Sequence, residues 1–207
     1  MPADARSMEM IVTLQSLPTL VFALVMLSWF VFAGVFFFRK KPEAAPEQKR
    51  VSASISGVAL QGVGYAIVWS IHRPAFSPVA SFSREIEIVV AVGTVAIACV
   101  SVGIVMAAVK TLGKEWSITA RLVEGHKLAT RGPYRFVRHP IYTGMFGMLL
   151  ATGLAISYWF SLLAATAVFF IGTIIRVRSE ERLLREQFGP EFEAYAARVP
   201  AMLPGVY

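Results

Sequence analysis

The chain has 207 residues, of which 56% are hydrophobic and 16% are charged, and its net charge is +7. Soluble domains carry about 25% charged residues, so this composition and the mean hydropathy of +0.61 exclude an ordinary soluble domain and indicate a membrane protein. The basic residues flank apolar runs, which fits the positive-inside rule better than a nucleic-acid-binding surface. The single cysteine, Cys99, excludes an intrachain disulfide.

Three apolar runs occupy the first half of the chain. Residues 14–38 are long enough to cross a bilayer with some tilt, and the basic residues 39–41 close the run like a stop-transfer signal. Residues 52–71 form a weaker run with three glycines and Gln61. Because small residues let helices approach closely in lipid, we interpret this run as a helix packed inside a bundle. Residues 86–109 form a third run, in which Glu87, next to its start, is the single charged residue.

The second half begins with the longest polar stretch of the chain, residues 110–139, and loops of this length are usually functional or disordered. Two apolar runs follow, 140–156 and 159–177, and the very short connection between them predicts an antiparallel helical hairpin. In the tail, 178–207, apolar residues recur at helical spacing between charges. This pattern predicts an amphipathic helix that lies on the membrane surface or covers the polar loop.

The predicted fold is therefore all-α, a single polytopic membrane domain over residues 1–207 with about five transmembrane helices. Basic residues follow the first, third and fifth apolar runs, and few lie at the opposite ends. Five spans with the N-terminus outside and the C-terminus in the cytoplasm satisfy this bias. The polar loop and the tail would then meet on the cytosolic side of the bilayer.

The stretch "TRGPYRFVRHPIYTGMF", residues 130–146, places a dense polar cluster directly before the fourth apolar run. Gly132 and Pro133 predict a turn where the backbone can approach a ligand. Pro140 suits the first turn of a helix, whose free N–H groups would face the loop. Arg138 and His139 stand just before that helix, where a carboxylate would meet both charge and donors. Topological anchoring of the arginines and a simple helix start are the alternatives.

A second set of charges leaves the fifth apolar run on the same predicted side. Arg176 and Glu180 are four positions apart and share one side of a helix, and Glu181 follows directly. Charges at the end of a span that point into a bundle are functional candidates. A snorkelling arginine and a solvated face for the glutamates are the alternatives. We expect one pocket at the membrane edge that combines a cation, two carboxylates and a helix N-terminus.

The stretches "HKLATRGPYRFVRHPIY" and "RVRSEERLLREQFGPEFEAYAARVPAMLP" resemble the isoprenylcysteine carboxyl methyltransferase family and its phospholipid methyltransferase relatives, over residues 112–204. The resemblance implies an integral membrane enzyme that binds S-adenosyl-L-methionine without a Rossmann domain, and the sequence has no glycine-rich motif of that type. It implies catalytic roles for Arg176, which would face the substrate, and for Glu180 and Glu181, with no metal site. The implied cofactor-binding residues are His126, Leu128, Gly132, Pro133, Tyr134, Arg138, His139, Pro140, Tyr142, Glu180 and Glu181.

The expected reaction is methyl transfer by direct displacement to a membrane-embedded or lipophilic acceptor. The resemblance favours the carboxylate of an isoprenylcysteine-like compound, and other lipid, thiol or amine acceptors stay open. The expected partners are the bilayer and this acceptor, with no nucleic acid; the glycines of the second run could serve an internal or an external interface. The alternatives are a nicotinamide-dependent reductase of the sterol type and a non-enzymatic membrane scaffold or transporter component.

Overall fold

The computed structural model of the chain describes residues 3–38, 47–50, 53–74, 77, 83–113, 121–123 and 128–203. Within these ranges the chain forms α-helices, one short 3-10 helix over Gly132–Arg135 and a two-stranded ribbon. The α-helices are α1 (Ala3–Phe37), α2 (Ala53–Ser70), α3 (Arg84–Leu112), α4 (Pro140–Ile156), α5 (Trp159–Phe188) and α6 (Pro190–Ala196). The strands are β1 (Glu47–Arg50) and β2 (Arg121–Val123).

The helices confirm the predicted all-α membrane fold. In the described part of the chain, three segments are long and apolar enough to cross a membrane, namely Leu17–Phe37, Arg84–Leu112 and Trp159–Phe188. The helix α4 is apolar but shorter, and α2 is diluted by glycine, serine and Gln61. The chain is therefore an integral membrane protein, and the count of five spans stays a prediction.

The antiparallel ribbon is an addition to the predicted fold. Arg50 of β1 lies opposite Arg121 of β2, and the register is irregular between Glu47 and Lys49. The ribbon joins the segment after α1 to the segment that was predicted as one long loop. Strands of four and three residues are too short for apolar alternation to reveal them in a sequence.

Helix α4 holds the bundle together because it contacts all four other long helices. On one side it packs with α1 and α3 around a core that includes Val25, Val105 and Met148. On the other side it packs with α2 and α5 around Leu149 and Phe169. The most extensive pairings are α2 with α5 and α3 with α4. The N-terminal end of α4 therefore lies where these helix pairs meet.

Helix α2 runs very close to α5 at a point where two glycines face each other. A Cβ atom on Gly57 would lie 2.7 Å from the carbonyl oxygen of Gly172, and a Cβ on Gly172 would lie 2.7 Å from that of Gly57. Gly64 also faces α5, since an added Cβ there would lie 3.0 Å from the carbonyl oxygen of Ala165, whereas a Cβ on Gly62 would meet no atom within 4 Å. These contacts support the interpretation of the second apolar run as a packed helix.

The predicted hairpin is confirmed, since α4 ends at Ile156 and α5 begins at Trp159. Arg73, after α2, closes this end of α4: its Nη2 donates to the carbonyl oxygens of Leu154 and Ala155, both at 2.9 Å. Its backbone N–H donates to Ile156 O at 2.8 Å. A buried arginine that binds the last carbonyls of a helix satisfies groups that the helix itself cannot. Arg73 therefore fixes the hairpin at the membrane face opposite the polar cluster.

At its other end α5 continues beyond residue 177, where the fifth apolar run stops. It ends at Phe188, where Gly189 adopts a left-handed conformation with φ of 48°, and Pro190 begins α6. Glycine adopts positive φ without a steric penalty, and proline suits the first position of a helix. Because α5 is continuous here, Arg176, Glu180 and Glu181 all lie on one rigid helix.

Candidate functional site

The residue before α4 lies between two carboxylates of α5. Nδ1 of His139 is 3.4 Å from Glu180 Oε2, and Nε2 of His139 is 3.2 Å from Glu181 Oε1. The imidazole is buried and stacks on the ring of Tyr142, with 5.6 Å between the centroids. Because α4 and α5 form an antiparallel hairpin, the second half of α5, with Glu180 and Glu181, lies beside the start of α4. The structure thus brings together predicted residues from two distant parts of the sequence.

Each carboxylate binds further donors. Glu181 Oε1 accepts from Nε of Arg138 at 2.8 Å, and its Oε2 accepts from Nη2 of Arg185 at 3.2 Å. Glu180 Oε1 accepts from the hydroxyl of Tyr142. Hydrogen bonds to charged groups are about twice as strong as those between neutral groups. The two glutamates are thereby held as an ordered pair of anions in a mostly buried environment.

His139 is the titratable group whose state depends most directly on this pairing. Burial alone would lower the pKa of His139 from its usual 6.5, but hydrogen bonds to Glu180 and Glu181, and the negative charge of both, outweigh that effect and raise the pKa. The imidazole is therefore a cation through a wider pH range than a free histidine. Together with Arg138 it supplies positive charge directly beside two anions.

Arg176 occupies the membrane side of the cluster. Its Nη2 lies 3.6 Å from Glu180 Oε1, and its guanidinium carbon lies 4.7 Å from the centroid of the Tyr142 ring. Nη1 donates to Oε1 of Gln61 on α2 at 3.0 Å. No role was predicted for Gln61, although an amide in an otherwise apolar run is a signal that the sequence contains. The side chain of Gln61 is almost completely buried, at 2% exposure.

The C-terminal tail covers the segment that leads into α4. The backbone N–H groups of Arg138 and His139 donate to the carbonyl oxygens of Pro200 and Ala201 at 2.9 and 2.8 Å. The guanidinium of Arg138 also donates to the carbonyls of Ala196 and Val199. Of the two placements predicted for the tail, the structure shows the one over the polar loop.

These tail contacts correct one expectation about the start of α4. The free N–H groups of the first turn of α4 were expected to face the loop; just before that turn, tail carbonyls accept from the N–H groups of Arg138 and His139. The N–H groups of Tyr142 and Thr143 donate to His139 O at 3.0 and 3.1 Å. Positive charge at this end of α4 therefore comes mainly from side chains, because the tail takes up part of the backbone donors.

Four more of the predicted residues lie in the segment that leads into α4 or at its first position. Leu128 is partly buried, and Pro133 lies in the first turn of the 3-10 helix. Gly132 has a φ of 59°, and a Cβ there would lie 2.8 Å from Oγ1 of Thr111, so the turn requires glycine. Pro140 is the buried first residue of α4. His126 lies outside the residues that the structure describes.

Tyr134 is buried beneath the tail. Its carbonyl accepts from the hydroxyl of Tyr195 at 2.6 Å. Burial, followed by the nearby negative charge of Glu180, raises the pKa of the Tyr134 hydroxyl. That hydroxyl is therefore neutral at physiological pH and can donate a hydrogen bond at the edge of the cluster.

The chain matches known proteins over the part that forms this cluster. The family model described as phospholipid methyltransferase matches residues 88–191. The chain is similar to the probable protein-S-isoprenylcysteine O-methyltransferase of Oryza sativa subsp. indica, with 36% identity over 99 residues, 47% of this chain and 52% of the relative. It is similar to protein-S-isoprenylcysteine O-methyltransferase B of Arabidopsis thaliana, with 34% identity over 101 residues, 48% and 51% of the two chains.

A relative named for resistance to metals matches this chain at a similar identity. The nickel-cobalt-cadmium resistance protein NccN of Alcaligenes xylosoxydans xylosoxydans is 37% identical over 111 residues, 52% of this chain and 50% of the relative. The chain spans about half the length of the curated relatives it matches. The residues matched by the family model include Arg138, His139 and the whole of α5, which together carry the buried charges of the cluster.

Proposed function

This chain belongs to the phospholipid methyltransferase family, and from that premise we propose that it transfers a methyl group from S-adenosyl-L-methionine to a lipophilic acceptor. The observation that carries the proposal is the buried cluster around His139, Glu180 and Glu181 at the end of an apolar bundle. Charges of both signs in a buried position are costly unless they pair or bind a ligand. Two relatives of this chain are named O-methyltransferases.

The side chains of the cluster fit the chemistry of this methyl donor. The amino-acid end of S-adenosyl-L-methionine is a zwitterion, with an ammonium that needs carboxylates and a carboxylate that needs cationic donors. The cluster offers Glu180 and Glu181 for the first, and Arg138 and His139 for the second. Because these groups are paired with one another, a zwitterion can exchange into the network without leaving an unbalanced charge.

In the proposed site the residues bind either end of the cofactor's amino-acid group or line the pocket. Glu180 and Glu181 hold the ammonium end of the cofactor, while Arg138, His139 and Tyr142 position its carboxylate and order the pocket. Leu128, Gly132, Pro133, Tyr134 and Pro140 line the pocket, and the sequence resemblance assigns His126, which lies outside the described residues, to the same role. When bound, the cofactor supplies a methyl group on a sulfonium centre that is already activated for displacement. The protein therefore contributes mainly by positioning and desolvating the two reactants.

Arg176 favours an anionic acceptor. Its guanidinium is buried on the membrane side of Glu180, where it can bind a carboxylate on a lipophilic molecule. An amine acceptor would need a carboxylate to take up a proton. Glu181 accepts from Arg138 and Arg185. Glu180 accepts from Tyr142 and forms ion pairs with His139 and Arg176, so both glutamates are weak bases. We therefore favour an isoprenylcysteine-like carboxylate over a phospholipid amine or a thiol.

The same proposal includes the arrangement in the membrane. Residues 1–207 form a single membrane domain with the N-terminus outside and the C-terminus in the cytoplasm, as the distribution of basic residues favours. The cluster then lies at the cytosolic edge of the bilayer. A water-soluble cofactor enters from the cytosol, and the apolar acceptor enters through the lipid.

The proposal is tested by incubating the detergent-purified chain with methyl-labelled S-adenosyl-L-methionine and three separate acceptors: N-acetyl-S-farnesyl-L-cysteine, phosphatidylethanolamine and a lipophilic thiol. We expect label in a base-labile ester of the first acceptor, and loss of at least about tenfold in kcat/KM in Arg176→Met. Arg182→Ala, which changes an exposed arginine on the same helix, serves as the matched control. A folded chain that labels none of the acceptors contradicts the proposed activity, and label confined to the lipid amine contradicts the proposed acceptor.

A further inference from the structure

We infer that Gln61 of α2 is a positioning residue that orients Arg176 toward an anionic acceptor without neutralising its charge; this inference rests on the proposed function and adds an element outside the cofactor cluster. The contact is direct, with Arg176 Nη1 donating to Gln61 Oε1 at 3.0 Å. The side chains are exposed by only 6% and 2%. A hydrogen bond in so dry a position is geometrically restrictive, because no water competes for either partner.

The orientation of the Gln61 amide follows from its second hydrogen-bond partner, Thr173. Oγ1 of Thr173 donates its only proton to the carbonyl of Phe169 at 2.8 Å. Oγ1 can therefore only accept from Gln61, whose Nε2 lies 2.8 Å away. The nitrogen end of the amide is thus fixed against Thr173, so that the oxygen end faces the guanidinium. A flipped amide would place its nitrogen, a donor, against the guanidinium, and its oxygen against Oγ1 of Thr173, whose proton is already donated to Phe169 O.

The backbone of α2 is close enough for this contact because of the paired glycines. The stem of Arg176 lies over Gly57, where an added Cβ atom would be 2.5 Å from Arg176 Cγ. Gly57 and Gln61 are four positions apart and therefore lie on the same face of α2. Gly57 leaves room for the stem of the arginine, and Gln61 binds its head. Both contacts fix the guanidinium relative to Glu180 and the ring of Tyr142.

A neutral partner has a specific chemical consequence. Glu180 already lies 3.6 Å from the guanidinium, so a carboxylate at position 61 would leave Arg176 between two anions. An amide oxygen instead fixes the guanidinium and adds no second anion to compete with an anionic acceptor for its positive charge. An anionic acceptor gains from that charge, and its methyl ester does not. The structure therefore predicts that Gln61 and Thr173 set the preference for acid over ester at this site.

The test uses two matched threonines. Thr152 on α4 has the same bonding pattern as Thr173, since its Oγ1 accepts from Trp29 Nε1 at 2.9 Å and donates to Met148 O at 2.7 Å. Thr173→Val and Thr152→Val each remove one buried hydrogen bond between helices, but only the first releases the amide of Gln61. Gln61→Met removes the amide with little change in volume, and Thr173→Ser restores the hydroxyl.

The readout is the ratio of dissociation constants for N-acetyl-S-farnesyl-L-cysteine and its methyl ester, measured calorimetrically on the detergent-purified full chain without cofactor. We expect the unaltered chain, Thr152→Val and Thr173→Ser to prefer the acid about tenfold, as a charge-assisted hydrogen bond allows. In Thr173→Val and Gln61→Met the ratio should fall toward one. Where turnover is measurable, the acceptor KM should rise in these two variants with less than about threefold change in kcat.

Several outcomes would overturn the inference. An unchanged ratio in both Thr173→Val and Gln61→Met would show that the amide does not orient Arg176. An equal loss of preference in Thr152→Val would show a general effect of weakened packing. A chain without any preference for the acid would show that Arg176 does not face the acceptor. Absence of methyl transfer from a chain that retains the ratio pattern would instead contradict the proposed activity and leave the inferred positioning supported.

Discussion

Arg138 and Glu181 form an ion pair of 2.8 Å between positions 43 residues apart, and neither side chain is more than 9% exposed. Glu181 also binds His139 and Arg185, so one carboxylate joins the segment before α4 to the C-terminal half of α5. The guanidinium of Arg138 in turn binds the carbonyls of Ala196 and Val199 in the tail. The cluster is therefore part of the structure that holds the tail in place.

We predict that Glu181→Gln destabilises the protein by about 3 kcal/mol, because removal of one partner leaves buried cations without their counter-charge. Glu193→Gln is the matched control, since Glu193 also pairs with Arg185 at 2.9 Å but is 58% exposed. An exposed pair contributes at most about 1 kcal/mol. The measurement is the midpoint of thermal unfolding in detergent. Equal shifts in the two variants would show that the buried pairing is not what stabilises the tail.

The second prediction concerns pH. Because the folded pKa of His139 is raised above the usual 6.5, its ion pairs contribute stability that is fully present below pH 6.5 and lost as the pH rises through the folded pKa. The difference in unfolding midpoint between the unaltered protein and His139→Gln should therefore be largest near the acidic end of the window from about pH 5.5 to 9. A difference that grows with rising pH would contradict the paired imidazolium.

The third prediction concerns the contact between α2 and α5. We expect Gly57→Ala to destabilise the bundle, because the new Cβ would lie 2.5 Å from Arg176 Cγ and 2.7 Å from Gly172 O, and overpacking of this kind costs about 1–3 kcal/mol. Gly62→Ala on the same helix meets no atom within 4 Å. Since alanine favours helix over glycine by up to about 1 kcal/mol, the control should be neutral or stabilising. Thermal unfolding of both variants in the same detergent provides the comparison, and a neutral Gly57→Ala would contradict the close approach.

The sequence was sufficient to predict the hairpin of α4 and α5 and the proximity of His139 to Glu180 and Glu181. The apolar runs around Ser157 and Tyr158 predict two adjacent antiparallel helices, and helix spacing places Glu180 and Glu181 at the same end as His139. Once the hairpin closes, these side chains have few other positions available. For that reason the charged part of the candidate site could be predicted from the sequence.

The contributions of distant segments could not be predicted in the same way. Gln61 is an isolated amide in an apolar run, and its bond to Arg176 depends on the close approach of α2 and α5 at Gly57 and Gly172. The tail contacts are backbone hydrogen bonds, to which the side chains of Pro200 and Ala201 contribute no chemical signal. The contact of Arg73 with the carbonyls at the end of α4 has no counterpart in the sequence pattern, because Arg73 is a single basic residue after α2.

The cluster around His139, Glu180 and Glu181 is proposed to bind the methyl donor. This binding is tested most directly by calorimetric titration of the detergent-purified chain with S-adenosylhomocysteine, the demethylated product, alongside His139→Ala and the exposed control Arg182→Ala. We expect saturable binding in the unaltered chain and in Arg182→Ala, and affinity at least about tenfold weaker in His139→Ala. Absence of binding in a folded chain, or equal affinity in His139→Ala, would contradict a donor site at this cluster.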